Sequence, residues 1–139
     1  LPGLTEVVYA GRGRGAFCNG APAQVSPCEH LDEAYLTTSG FGGWSTAAMD
    51  AIHDAGIHLR TWGDGFGYAL VATGRVEAMV DQVASPWDVA PCSVILEEAG
   101  GRFTSMRGEA GFEHGSGLGT NGLLHDELVE LFAPTFDDD

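Results

Sequence analysis

The sequence predicts an α/β fold, a mostly parallel sheet with flanking helices that is preceded by a β-hairpin. Three observations carry that expectation. From Leu31 onward, short β-branched or aromatic runs alternate with apolar stripes at three- and four-residue steps, the pattern of strands joined by helices. Glycines stand where each of the first three helical stripes ends, at Gly56, Gly74 and Gly100-Gly101. A length of 139 residues at 44% hydrophobic content suits one globular domain with a sizeable core.

Taken in order, "TEVVYA" (residues 5–10) reads as a strand that runs into the glycines of "GRGRGAF". A second strand follows and closes on an Asn19-Gly20 turn, which makes a hairpin. The glycine-rich turn matches neither GxxxxGK[ST] nor GxGxxG, so it is read as a turn and not as a phosphate loop. "EAYLTTSG" is a strand, and Ser45 caps a helix over residues 45–55. "IHLRTW" is a strand, residues 64–74 a helix, and "RVEAMVD" a strand. Residues 89–99 form the next helix, with Val89, Cys92, Ile95, Leu96 and Ala99 as its apolar stripe and Asp88 as its cap; Trp87 is expected to pack and fix the turn. "RFTSM" and "SGLGTNG" supply two more strands, and "LLHDELVELF" the last helix. The chain thus divides into a terminal hairpin (1–27), an α/β domain (28–135) and a solvated acidic tail (136–139).

The charge balance narrows the function. Net charge is −14, and all six cationic side chains are arginine. Such a surface does not suit nucleic acid, which needs basic groups against its phosphates. An acidic protein that handles a phosphate needs a cation to mediate, and a bound divalent metal is the obvious one. No apolar run approaches the roughly 18 residues that span a bilayer, and residues 1–10 do not read as a signal peptide. Cys18, Cys28 and Cys92 are too few and too scattered for a disulfide framework or a zinc cluster, so they read as reduced thiols of a cytoplasmic protein. The five histidines show no paired-ligand spacing.

Three acids fall where an open α/β sheet gathers its ligands, just outside the carboxyl ends of strands: Asp64, Asp81 and Asp88. Asp64 and Asp88 have a structural alternative as helix caps, and nearby Arg60 has one as a surface ion pair. Carboxylates converging there would suit a hard cation such as Mg²⁺ together with a substrate.

These stretches also carry a family resemblance. "WDVAPCSVILEEAGGRFTS" resembles the C-terminal signature of the inositol monophosphatase family. "GRGRGAFCNG" resembles its glycine-rich hairpin, "LVATGRVEAMVD" its strand before the substrate-facing acid, and "GTNGLLHDELVELF" its closing strand and helix. "RTWGDGFGY" and "PWDVAP" look more like the histidinol-phosphate phosphatase branch than the inositol branch. The resemblance implies a Mg²⁺-dependent phosphomonoesterase acting on a small phosphorylated substrate, in a homodimeric parent. By position it makes Asp88 a metal ligand and Arg60, Gly63, Asp64, Asp81 and Asp88 substrate-binding, with no catalytic residue in this stretch. The family's Glu-Glu element and its Asp-Pro-(Ile/Leu)-Asp-Gly-Thr motif do not occur here. The expectation is therefore a C-terminal portion, its hairpin a remnant of an N-terminal domain, inactive alone and either self-associating or mobile at the hairpin. A non-catalytic binding module is the alternative from another class.

Overall fold

A computed structural model describes residues 1–136; Asp137–Asp139, most of the expected acidic tail, lie outside the described residues. Strands β1 (Val8–Gly11) and β2 (Gly15–Cys18) form the antiparallel hairpin, and a short β3 (Ala21–Pro22) adds to its edge. Asn19 and Gly20 both take positive φ (50° and 83°), the requirement of a tight two-residue hairpin turn between β2 and β3.

The domain proper alternates β4 (Tyr35–Thr38), α1 (Thr46–Asp54), β5 (His58–Arg60), α2 (Asp64–Ala72), β6 (Ala78–Asp81), α3 (Pro86–Glu98), β7 (Arg102–Thr104), β8 (Gly117–Thr120) and α4 (His125–Phe132). The five strands of its sheet lie in the order β5-β4-β6-β8-β7. β4 pairs parallel with β5 and β6, whereas β8 runs antiparallel to both β6 and β7. Four strands therefore point one way and β8 opposes them. The sheet is mixed, because β7 and β8 are joined by a loop without a crossover helix.

Strand alternation sorts the core into two layers. Met79 faces α2 and α3 with Tyr68, Val71, Val89, Leu96 and Phe103. Ala78 and Val80 face α1 and α4 with Leu36, Ile52, Leu118, Leu128 and Phe132. Every residue of β6 is buried, as befits a central strand covered on both faces. Among the described residues no helix is long and apolar enough to cross a membrane.

The hairpin is tied to the domain. The Glu98 carboxylate at the end of α3 accepts the Gly13 and Gly15 backbone N–H groups at 2.7 and 2.8 Å. Arg75 pairs with Glu6 at 2.8 Å.

Two expectations at α3 need correction. The helix begins three residues early, at Pro86, because proline is well suited to the first helical position, where its fixed φ fits and its missing N–H costs nothing. Ser85 is thus the cap residue, and Asp88 sits within the first turn. Trp87 does not pack to fix the turn. On the outer side of that first turn, it is 78% exposed.

Candidate active site

The carboxyl ends of β4 and β6 and the starts of α2 and α3 form a cleft of about 290 Å³, lined by Ser39, Asp64, Gly65, Tyr68, Asp81, Val83, Ala84, Asp88 and Val89. It lies where parallel neighbours β4 and β6 release their chains into loops, the expected position for a ligand in an open α/β sheet.

Asp81 ends β6 and is buried. A buried carboxylate needs hydrogen-bond donors, and both of its oxygens have one. Ser39 donates its hydroxyl to Oδ1 at 2.6 Å and Tyr68 donates its phenol to Oδ2 at 3.0 Å. Burial, then the Asp81 charge, raises the Tyr68 pKa far above the usual phenol range, so the phenol keeps the proton it donates. The same causes push the neighbouring Cys92 thiol up to about 12, burial first and then Asp81 and Asp88, and it stays an unreactive thiol.

Ser39 does a second job. Its oxygen accepts the Asp64 backbone N–H at 2.9 Å, which ties the start of α2 to the end of β4. The Thr37 hydroxyl holds the same loop, accepting the Trp62 N–H at 2.6 Å and donating to the Trp62 carbonyl at 3.0 Å. Asp64 is the first residue of α2 and Gly63 is its cap. Asp64 stands at φ 54°, a left-handed conformation unusual for a non-glycine residue that costs roughly 1–3 kcal/mol and is tolerated where the surroundings over-determine it. Gly63 is glycine because of close approach: an added Cβ would overlap the Ser39 Cα. Gly63→Ala is therefore expected to destabilise the fold by roughly 1–3 kcal/mol in urea unfolding. A variant as stable as the parent would show that the loop yields freely.

The structure brings Asp64, Asp81 and Asp88 to one cleft, with Gly63 supporting its wall. Arg60 does not join them. It lies over the faces of Tyr35 and Trp62, 5.1 and 6.0 Å from the ring centroids, and donates to the Leu59 carbonyl at 2.8 Å. The sequence reading missed Ser39 and Tyr68. Tyr68 falls four residues after Asp64, hence on the same helix face, and that spacing was the available signal.

Asp88 lies exposed in the first turn of α3. Among the described residues, no three His, Cys, Asp or Glu side chains gather as a group able to hold a metal ion. Asp81 has already committed an oxygen to each of two hydroxyls. The donors of this chain therefore do not by themselves fit Mg²⁺, which wants near-octahedral oxygen ligation.

The chain matches the inositol monophosphatase family over residues 2–137. It is 38% identical over 137 residues to a histidinol-phosphatase of Mycobacterium tuberculosis, covering 92% of this chain and 53% of that protein. It is 40% identical over 127 residues to a histidinol-phosphatase of Chlorobaculum parvum, covering 85% and 47%. A fructose-1,6-bisphosphatase/inositol-1-monophosphatase of Thermotoga maritima is 33% identical over 132 residues, covering 94% and 52%. Among solved structures, an IMPase of Thermotoga maritima superposes with a TM-score of 0.86 at 29% identity, covering 99% of this chain and 55% of that one. The chain spans about half the length of the curated relatives it matches. With the fold, the order of its elements and nearly its whole length in agreement, the chain belongs to the inositol monophosphatase family.

Proposed function

We infer that this chain forms the substrate-facing part of a Mg²⁺-dependent phosphomonoesterase that hydrolyses histidinol phosphate to histidinol and phosphate, a cytoplasmic enzyme of histidine biosynthesis. The observation that carries the reading is the convergence of Asp64, Asp81 and Asp88 on one cleft at the carboxyl ends of the strands. The family and its histidinol-phosphatase relatives at 38% and 40% identity support it. Asp81 and Asp64 would receive the alcohol portion of the ester. Asp88, exposed at the mouth, would be one ligand of the cation, with the others supplied from outside these residues. Arg60 would act on a phosphate only if its side chain left the Tyr35 face. A homodimer of the whole protein is part of the same reading.

An inositol monophosphatase or fructose-bisphosphatase activity is the second reading, favoured by the Thermotoga maritima relatives. Phosphate release from histidinol phosphate, inositol 1-phosphate and fructose 1,6-bisphosphate separates the two, measured on the complete protein with and without Mg²⁺. The expected result is metal-dependent turnover with histidinol phosphate preferred. Preference for either other ester would reassign the substrate. Residues 1–139 alone are expected to show no Mg²⁺-dependent turnover, and robust turnover by them would refute the assignment of missing ligands.

A further inference from the structure

We propose that a second cavity, behind one wall of the cleft, binds a small organic oxyanion, a carboxylate or a phosphate monoester. It holds about 590 Å³, within the usual size of a small-molecule site. Its walls are the loop before α1, the connection after β6 and the β7–β8 loop. The site is separate from the three acids of the cleft and needs neither their cation nor their chemistry.

The sign of the lining is unusual for this chain. Acids outnumber arginines 20 to 6 in the sequence. Yet among the described residues no Asp or Glu lines this cavity, whereas Arg107 and His114 do. The acids closest to them in sequence are engaged within their own loop. Glu109 accepts the Ser105 hydroxyl at 2.9 Å, and Glu113 accepts the Phe112 N–H at 3.1 Å.

The polar groups of the lining have donors to offer. Ser45 Oγ accepts the Ala48 N–H and Ser116 Oγ accepts the Met106 N–H, each at 3.1 Å. Neither hydroxyl donates to a described protein group, so each keeps a proton for a ligand. Arg107 is exposed, and the five donors of a guanidinium can meet an oxyanion alongside a protein contact. His114 directs its Nε2–H to the Ala110 carbonyl at 2.9 Å, so its ring serves as wall. Trp44, Val83 and Met106 supply apolar surface. Donors from separate loops with apolar side chains between them suit an anion that has a carbon body.

The cavity also touches the segment that shapes the cleft. Val83 lines both, and Ala84, in the cleft wall, donates its N–H to the carbonyl of Gly115 in the cavity wall at 2.8 Å. An occupant therefore rests on the connection that joins Asp81 to α3.

The test is an NMR titration of residues 1–139, without divalent cations, using benzoate, phenyl phosphate and the neutral isostere benzamide. Saturable shifts are expected at the Gln82, Val83, Arg107 and Ser116 amides with at least one of the two anions, and the tighter of them names the acid. Benzamide is expected to bind at least about tenfold more weakly. Arg107→Gln is expected to weaken anion binding by about the same factor, the loss of a charge-assisted hydrogen bond, and Arg107→Lys by less. Equal binding of benzamide, or no binding of either anion, would overturn the proposal. So would shifts centred on Asp64 and Tyr68 in the cleft, or an Arg107→Gln variant that binds as the parent does. If Arg107→Gln fails to fold, the contrast between the anions and benzamide in the parent decides the point.

Discussion

Lowering the pH from 6.5 to 4 is expected to cost the fold about 3 kcal/mol, and a His125→Gln variant is expected to lack that loss. His125 opens α4 with its side chain fully buried between two strands. Its Nε2 lies 2.9 Å from the Thr104 hydroxyl of β7, and its Nδ1 lies 2.9 Å from the Thr120 hydroxyl of β8. The neighbours fix the tautomer. Thr104 donates its proton to the Ser105 carbonyl at 2.6 Å, so it must accept from Nε2–H. Thr120 accepts the Gly122 N–H at 3.0 Å and turns its own proton to Nδ1. A second ring proton would meet the Thr120 proton head-on.

Burial is the largest force against the charged imidazolium, and Arg102 adds to it. Asp126 pulls in the other direction, but it is paired with Arg102 at 2.7 Å. The balance lowers the pKa to about 4 from an ordinary 6.5. Between those values the unfolded chain binds more protons than the folded one, so stability rises with pH there. It is level above 6.5, where both states are neutral at this residue, and level again below 4, where both are charged. Glu98, held low by the Gly13 and Gly15 N–H groups, contributes mainly below the ordinary carboxylate range. Urea unfolding of parent and variant across this window isolates His125 in the difference. Parallel curves would show that the hydroxyl sandwich does not govern acid stability. The loss is a large share of the roughly 5–15 kcal/mol of a typical domain.

What was legible in the sequence was what local rules decide. Ser45 reads as a cap and is one, accepting the Ala48 N–H at 3.1 Å. Asn19-Gly20 reads as a turn and takes the dihedrals of one. Asp64, Asp81 and Asp88 were placed at strand and helix junctions, and the fold gathers them because those junctions share one edge of the sheet. Features decided across the chain were not legible. Whether β8 runs with β6 or against it depends on how the chain returns after β7, and nothing within "SGLGT" encodes that. The Ser39 link to Asp81 joins residues 42 positions apart. Trp87 looked like packing because tryptophan is usually well buried, but a first-turn position on an outward face overrides that tendency. Arg60 was assigned through its neighbours in sequence, while its guanidinium settles on the face of Tyr35, from the adjacent strand β4. Side-chain destinations of this kind follow from register, which local patterns leave open.

Asp88→Asn in the complete enzyme is expected to lower kcat/KM at least about hundredfold while leaving stability within roughly 1 kcal/mol. The two halves of that expectation separate the two roles open to this residue. As part of the first turn of α3, a carboxylate stabilises the helix by roughly 0.3–1 kcal/mol through the N-terminal N–H groups, and asparagine retains part of that. Exposed at the cleft mouth, Asp88 pays little desolvation and carries no buried partner whose loss would unfold the domain. Its carboxylate is also the one in the cleft that neither sits in the core, as Asp81 does, nor stands on strained backbone, as Asp64 does. If the cleft handles a phosphate, as proposed above, an exposed carboxylate beside it in a chain of net charge −14 gains nothing for the phosphate unless a cation bridges them. Calorimetric titration with Mg²⁺ supplies the second readout: the complete parent is expected to bind the ion and the variant to bind it at least tenfold more weakly. Full activity in Asp88→Asn would return the residue to a purely helix-stabilising role. A stability loss of several kcal/mol with proportionate activity loss would do the same by another route, because the helix start and not the cation would then be what the carboxylate serves.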